Sequence, residues 1–400
     1  MINVAVLGYG TIGSGVARII EENNELLKHK ISDDIDIKYI LDLRDFPNDK
    51  NEHKVVHDID IIINDPDVDI VVEAMGGVEP AHTFVKAALE AGKSVTTSNK
   101  ALVAEKGAAL LKLAREKNVN FFFGASVGGG IPIIRPLQSC ITADVIERIS
   151  GILNGTTNFM MSAMYENGAD YDQVLKEAQQ LGYAEADPTA DVEGYDACRK
   201  IAILTSIVAE RQIDFNDIHT EGISKISAED IKYAKAMNRR IKLIADSIKV
   251  GDTFSIIVSP VLIEEKDPLY GVNDVFNAIT VRGNMLGDAM FYGSGAGSLP
   301  TASAVVADVV QLSKNIGNNI PTPWDENKLT LSDYKKLKHR FFIRIGEYDK
   351  DAALRAFDGA QVYNCDIKGE IGILTQLMSE EEFDKKLQGI NIIKMIRARA

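Results

Sequence analysis

Asn3-Val-Ala-Val-Leu7-Gly8-Tyr9-Gly10-Thr11-Ile12-Gly13 stands at the head of a chain of 400 residues, and its reading decides the fold of everything up to about residue 125. The run ending at Leu7 is strand-like, and three glycines follow it at the spacing Gly-x-Gly-x-x-Gly. Each must be bare for its own reason. The first makes a tight turn, the second lets backbone approach a pyrophosphate, and the third lets a helix pack on the strand. The helix that starts here offers free N–H groups and the positive end of its dipole to phosphates. A tight βα turn with no ligand would not demand three glycines at this spacing. The motif in its strand–turn–helix setting predicts a dinucleotide site made by Gly8, Tyr9, Gly10, Thr11, Ile12 and Gly13.

Beyond the loop, short β-branched runs alternate with helical patterns. Strands are expected at Asn3–Leu7, Ile35–Leu41, Ile70–Glu73, Ser94–Thr97 and Asn120–Phe123, with helices such as Ala81–Ala91 and Lys106–Lys117 between them. Alternation of this kind forces parallel pairing through right-handed crossovers, hence an α/β doubly wound Rossmann sheet over residues 1–135. Gly76, just past the third strand, is counted with the cofactor site. The second strand runs into Leu41-Asp42-Leu43-Arg44-Asp45, which holds both determinants of cofactor choice. An acidic residue would bond the ribose 2′-hydroxyl of NAD, and an arginine the 2′-phosphate of NADP. Asp42 lies 42 − 13 = 29 residues past Gly13, further than the usual spacing of about 20. The choice between NAD and NADP stays open, with a lean to NADP through Arg44.

The bulk numbers narrow the partners. Net charge is −14, from 44 basic and 58 acidic residues; nucleic acid and anionic membranes call for a basic face, so both are disfavoured. Cys140, Cys198 and Cys365 show no Cys-x-x-Cys spacing, which fits reduced thiols. No stretch approaches the roughly 18 apolar residues of a membrane span, and the N-terminus shows no signal-peptide pattern. A soluble, cytoplasmic protein is expected. The six histidines show no metal spacing, and Cys198 reads as a small core residue.

Past residue 135 the texture changes to glycine-rich loops, a long helix at about Tyr195–Glu210, a strand at Phe254–Val261 and a helix over 301–316. Pro321-Thr-Pro-Trp324 marks a break. Asp196 and Lys200 are four apart and share a helix face. An ammonium held by carboxylates in a cleft is a directed proton donor or acceptor for a carbonyl that becomes an alcohol. An exposed pair at this spacing contributes only about 0.3–0.5 kcal/mol and is common on any helix. It would not account for the Gly-Tyr, Asp-Pro and Gly-x-Asp elements gathered around it. Glu185, an acceptor when ionised, suits a substrate ammonium group. Lys100 ends the strand–loop after Thr97, at the carboxyl edge of the sheet where ligands of doubly wound folds bind. It opens a helix against the dipole, a mildly unfavourable placement.

The segment Ala178-Gln-Gln-Leu-Gly182-Tyr183-Ala-Glu185-Ala-Asp187-Pro188-Thr-Ala-Asp191-Val-Glu-Gly194-Tyr-Asp196-Ala-Cys-Arg-Lys200 resembles the signature of the homoserine dehydrogenase family. Supporting matches are Ser98-Asn99-Lys100, Ala125-Ser-Val-Gly-Gly-Gly-Ile-Pro132, Asn154-Gly-Thr-Thr-Asn158, Gly293-Ser-Gly-Ala-Gly297 and Pro300-Thr-Ala302. The resemblance covers about residues 1–315. It implies NAD(P)-dependent interconversion of L-homoserine and L-aspartate 4-semialdehyde, on the path to threonine and methionine. Carried over, Lys200 is the acid/base, Lys100 a second catalytic lysine near the nicotinamide, and Asp196 and Glu185 substrate ligands. Asp191 is a supporting carboxylate, Thr156 and Tyr183 meet substrate, and Gly182 and Gly297 lie against the cofactor. The family often has a glutamate where this chain has Gly124, beside a sodium site; here the backbone oxygens of Val127, Gly129 and Ile131 would be left to hold a monovalent cation. A homodimer is also implied.

Residues 136–325 read as an α+β substrate and dimerisation domain whose last helix returns to the first domain. Residues 335–400 read as a short C-terminal α/β segment, either ACT-like and regulatory or structural; strands are expected at Phe341–Ile345 and Gly372–Leu377. Two rival functions remain: a dehydrogenase of another small aldehyde or keto acid, on which Glu185 would be wasted, and a non-catalytic NAD(P)-responsive regulator, which would have no use for Lys100, Asp196 and Lys200 together.

Overall fold

The computed structural model describes residues 1–399. They divide into two compact units. The first comprises 1–145, 202–215 and 291–329, and the second 146–201, 216–290 and the chain from 330 onward.

In the first unit six strands, β1 (Ile2–Leu7), β2 (Ile35–Leu41), β3 (Val55–Val56), β4 (Ile70–Glu73), β5 (Ser94–Thr97) and β6 (Phe121–Phe122), form one sheet in the order β3-β2-β1-β4-β5-β6. All pairs are parallel. Leu7 stands level with Leu41 on one side and Glu73 on the other, so the carboxyl ends of three strands finish together beside Gly8. The apolar faces of Val4, Val6, Val16, Ile20, Ile70 and Val72 form the core. The helix Ser298–Ser313 closes it with Ala302, Val305, Val306 and Val309. That helix comes close to Thr11–Glu22, since a Cβ at Gly15 would lie 3.0 Å from the Ala302 methyl.

The strands expected in this unit appear with edges moved by at most one residue, whereas those expected at Phe254–Val261, Phe341–Ile345 and Gly372–Leu377 run as Thr253–Glu264, Lys338–Gly346 and Glu370–Leu374. The helical stretch read at Lys106–Lys117 belongs to a helix that spans Lys100–Glu116, opened by Lys100 as the sequence suggested. The Asn99 side chain accepts from the Leu102 N–H and caps it, which sets the start six residues earlier. Residues 202–215 and 291–329 are grouped with the N-terminal sheet, and the tail is grouped with the second unit.

In the second unit, β7 (Ile146–Ile152), β8 (Arg239–Val250), β9 (Thr253–Glu264), β10 (Phe276–Gly283), β11 (Gly287–Ser294), β12 (Lys338–Gly346), β13 (Gln361–Tyr363), β14 (Glu370–Leu374) and β15 (Ile392–Ala398) run in the order β11-β10-β7-β8-β9-β15-β12-β14-β13. Two short strands off this path complete an eleven-stranded sheet. Lys242, 1% exposed, pins the helix Gly155–Asn167 to this sheet by donating to Asn158 Oδ1 at 2.9 Å. It also donates to the Val272 carbonyl at 2.6 Å. Burial pushes its ammonium down to about 7.

The tail is a βαββαβ unit, with helices Lys350–Ala356 and Glu380–Lys386 and strand order β15-β12-β14-β13. Its last strand pairs parallel with β9, Val261 opposite Arg397. Buried arginines bolt it down. Arg344 meets Asp230 at 2.9 Å and Glu370 at 2.7 Å, and Arg397 meets Glu221 at 2.8 Å and Glu380 at 2.9 Å.

Candidate active site

The dinucleotide loop follows from its glycines. Gly8 sits at φ +90°, a conformation that only a residue without Cβ adopts freely. A Cβ on Gly13 would overlap the Gly8 carbonyl oxygen, whereas one on Gly10 would meet nothing within 4 Å. Gly13 is therefore bare for packing, and Gly10 leaves open space at a helix N-terminus, where a phosphate binds. The Tyr9 ring turns inward, 7% exposed and edge-on to Phe46 at 5.0 Å. Thr11 receives a hydrogen bond on its carbonyl from the Ser298 hydroxyl at 2.7 Å, and Ile12 packs on the core.

A cleft of about 480 Å³ opens over this loop, lined by Gly8, Gly10, Asp42, Arg44, Ala74 and Gly76 among others. Asp42 Oδ2 accepts the Tyr9 N–H at 2.8 Å and Arg44 Nη2 at 3.0 Å, while Oδ1 accepts Arg44 Nε at 3.0 Å. The Arg44 guanidinium holds the Asp42 carboxyl well below the usual carboxylate range. Asp42 is thus committed within the loop, and the Arg44 side chain, 62% exposed, faces solvent.

Sequence reasoning missed Glu73. It is fully buried at the end of β4, and burial pushes its pKa up. It accepts from the Met75 N–H at 2.8 Å and from the Thr97 hydroxyl at 2.5 Å. The Asn99 N–H in turn donates to the Thr97 hydroxyl oxygen at 2.8 Å, and its side-chain amide donates to the Gly77 carbonyl at 2.5 Å. Glu73, Thr97 and Asn99 so tie the Gly76 turn to the start of the helix that Lys100 opens. A single charge closing the otherwise apolar run Ile70-Val-Val-Glu73 is the signal that could have found it.

In the second unit, Lys200 and Asp196 form an ion pair of 2.7 Å with side chains only 10% and 4% exposed. The reading as an exposed surface pair does not survive that burial. Lys200 Nζ also donates to the Leu153 carbonyl at 2.8 Å. Asn154 Nδ2 bridges Asp191 Oδ1 at 2.7 Å and Asp196 Oδ2 at 2.9 Å, while its Oδ1 caps the helix Gly155–Asn167 at the Thr157 N–H. Asn154, unassigned from sequence, is the hub of this cluster; an asparagine before Gly-Thr-Thr is a helix-cap pattern and gave the available hint. The Thr156 hydroxyl donates to the Tyr183 carbonyl at 2.5 Å, and the Tyr183 ring, 42% exposed, meets Phe159 edge-on at 5.0 Å. Gly182 takes φ +75°. Glu185 is exposed, in the loop whose carbonyl receives Gln179. Cys198 is 4% exposed, and burial pushes its thiol up, away from nucleophilic chemistry.

The carbonyl set suggested for a cation lacks a charged member. The Ile131 oxygen accepts the Ile133 N–H at 2.9 Å, and position 124 has no side chain. Among the described residues no group of histidine, cysteine and carboxylate ligands suits a metal, and no helix is long and apolar enough to cross a membrane.

A strand–glycine–helix dinucleotide loop in one unit and a buried lysine held by carboxylate in the other define the class of nicotinamide-dependent oxidoreductases. Comparison with known proteins narrows it. The family profile for the homoserine dehydrogenase NAD-binding domain matches residues 8–124, and that for homoserine dehydrogenase matches 132–310. The homoserine dehydrogenase of Bacillus subtilis is 38% identical over 417 aligned positions, covering 99% of this chain and 96% of that protein. A crystal structure of a homoserine dehydrogenase from Thiobacillus denitrificans superposes with a TM-score of 0.88 at 33% identity, covering 100% of this chain and 98% of the other. A hyperthermophilic archaeal homoserine dehydrogenase in complex with NADPH gives a TM-score of 0.65 at 28% identity, over 78% and 97%. The chain belongs to the homoserine dehydrogenase family, NAD(P)-dependent oxidoreductases that interconvert L-homoserine and L-aspartate 4-semialdehyde.

Proposed function

We propose that the buried Lys200–Asp196 pair is the proton-transfer centre of this reaction, and the carrying observation is its burial together with the Leu153 carbonyl and Asn154. In the oxidising direction the C4 hydroxyl of L-homoserine gives its proton to the Lys200 amine as the C4–H bond breaks and the carbonyl forms. In the reducing direction the Lys200 ammonium returns the proton to the oxygen, where negative charge develops. A bound nicotinamide accepts or supplies the hydride. Lys100 is assigned, by the family resemblance, as a second catalytic cation. Glu185 and Asp196 take the substrate ammonium, Asp191 supports them, and Thr156 and Tyr183 border the substrate. Gly8, Gly10, Gly13, Gly76, Gly182 and Gly297 let the cofactor approach backbone.

We favour NADP over NAD. Asp42 already receives the Tyr9 N–H and Arg44, which leaves it poorly placed to take a 2′-hydroxyl, while Arg44 presents an exposed guanidinium to the cleft. The NADPH complex of the archaeal relative agrees. Replacing Arg44 by Ala is expected to lower kcat/KM for NADP⁺ by about tenfold or more, roughly the loss of one charge-assisted pair, with NAD⁺ changed far less. Equal loss with both cofactors would remove Arg44 from the choice.

The decisive assay follows absorbance of the reduced nicotinamide with L-homoserine and NADP⁺ or NAD⁺. Lys200→Ala is expected to lose about two orders of magnitude or more in kcat, as for general acid–base loss, with cofactor affinity retained. A variant that keeps most of its rate would take the proton-transfer role from Lys200. We also propose a cytoplasmic homodimer: β11, at one end of the sheet, leaves Met290 41% exposed beside a turn whose Met285 is 82% exposed.

A further inference from the structure

The helix Ser298–Ser313 carries one carboxylate into the interior of the first unit. Asp308 is 4% exposed and gathers three donors from three segments. The Gly124 N–H reaches Oδ2 at 2.8 Å, the Thr96 hydroxyl reaches Oδ2 at 3.1 Å, and Arg135 Nη2 reaches Oδ1 at 2.6 Å. A Cβ at position 124 would lie 2.8 Å from Asp308 Oδ1. The carboxylate of residue 308 therefore occupies the place that a side chain at 124 would take.

Gly124 and Arg135 flank the loop Ala125–Pro132, so Asp308 fastens both of its ends. The loop's glycines touch the segment that leads into the Asp308 helix: a Cβ on Gly129 would lie 2.6 Å from the Gly295 carbonyl oxygen, and one on Gly130 2.9 Å from Pro300 Cβ. Thr96, the third donor, lies on β5, the strand that runs to Lys100. Burial pushes the Asp308 carboxyl up, and the Arg135 charge, the Gly124 N–H and the Thr96 hydroxyl oppose it. Without Arg135 the buried carboxylate would lose its only guanidinium partner among the described contacts and be driven to take a proton.

We propose that Asp308 and Arg135 are positioning residues that clamp the 124–135 loop, and that the fixed guanidinium takes the part of a bound monovalent cation, so that the protein neither binds nor needs Na⁺ or K⁺ at this loop. A cation held at the Val127, Gly129 and Ile131 carbonyls would want a negative partner; the Asp308 carboxylate at this loop already accepts three donors, one of them the Arg135 guanidinium that neutralises its charge. The catalytic half of the inference rests on Gly297 lying against cofactor. The ion half does not.

The test begins with full-length wild type melted and assayed in choline chloride, NaCl and KCl at equal ionic strength, so that screening is the same. A resident cation at about a hundred times its Kd would raise the midpoint by several degrees. We expect midpoints within about 1 °C and homoserine oxidation rates within about twofold across the salts, well below that linkage effect. A gain of several degrees, or of more than about fivefold in rate, with Na⁺ or K⁺ over choline overturns the proposal.

Arg135→Ala supplies the second arm. A cavity of about 120 Å³ lined by Phe122, Ile134, Arg135, Gln138 and Asp308 gives a small cation room beside the carboxylate. We expect the variant to lose about tenfold or more in kcat/KM and to regain much of it from millimolar guanidinium but not from choline. Wild-type rates in the unsupplemented variant overturn the clamp. If Arg135→Ala does not fold, Asp308→Asn keeps the shape and removes the charge; it is expected to be slower and indifferent to guanidinium, and a wild-type rate there counts equally against us. Should the wild type fail to turn over homoserine, that failure belongs to the functional assignment, and the melting comparison still decides this one.

Discussion

An i,i+4 lysine–aspartate pair is unremarkable by spacing, and its meaning at Asp196 and Lys200 comes from what surrounds it. Exposed, the pair would be solvated and nearly neutral in energy. Buried, each charge needs further partners, and the Leu153 carbonyl and the Asn154 amide supply them. His339 illustrates the opposite solution, a buried group kept neutral. Burial, aided by Arg397, Arg148 and Arg399 and opposed by Asp246, pushes its imidazole down to about 4. The unfolded chain then binds a proton that the folded one refuses, so stability is lost as pH falls from about 6.5 to about 4. Glu221, held down to about 2 by His219 and Arg397 against the push of burial, adds a separate loss only below about 4.5. Urea midpoints at pH 7, 5.5 and 4.5 are expected to fall in wild type and to fall less in His339→Gln; an identical slope in the two proteins would show that His339 stays out of the titration.

The glycine loop shows that one motif can hold residues fixed for different reasons. Gly13 has no room for a methyl group, and Gly10 has ample room in the protein alone. Gly13→Ala is expected to lower the melting midpoint by several degrees, the effect of about 1–3 kcal/mol of overpacking, and to impair NADP⁺ binding as well. Gly10→Ala is expected to melt within about 1 °C of wild type, as for a surface change, yet to raise the NADP⁺ dissociation constant clearly. Equal behaviour of the two in calorimetry would refute the separate roles. Side-chain caps do comparable work at two helix starts. Asn99 sets where the Lys100 helix begins, and Asn154 caps one helix while bridging two carboxylates with its other end.

Across the whole molecule, each unit is assembled from segments far apart in the chain. The tail is joined to the rest of the second unit by strand pairing, by packing of Phe342 on Tyr233 and by buried arginines. Arg397, 1% exposed, neutralises Glu221 and Glu380 together. Arg397→Met leaves the buried Glu380 and the partly exposed Glu221 without it and is expected to cost about 3–5 kcal/mol, roughly 10 °C in midpoint for a unit of this size. Adding Glu380→Leu should return part of that loss; if the single variant melts like wild type, the tail is held by other means. The tail has a βαββαβ order, and the pairing of β15 with β9 makes it a continuation of the sheet.

The chain's own order of residues determined whatever local stereochemistry dictates. The Gly8-x-Gly10-x-x-Gly13 turn, the strand–helix alternation behind it, the shared face of Asp196 and Lys200 and the run from Ala178 to Lys200 are all contained within spans that one or two elements cover. Tertiary structure alone decided the burial of Lys200, the commitment of Asp42 to Tyr9 and Arg44, the role of Asn154 toward Asp191 and Asp196, and the carboxylate that Asp308 brings to Gly124 from 184 residues away. A periodicity or a spacing records which face of one element is apolar. It carries no record of which distant donor will fill a given acceptor, because that pairing is settled only when burial removes water and each polar group must find a partner.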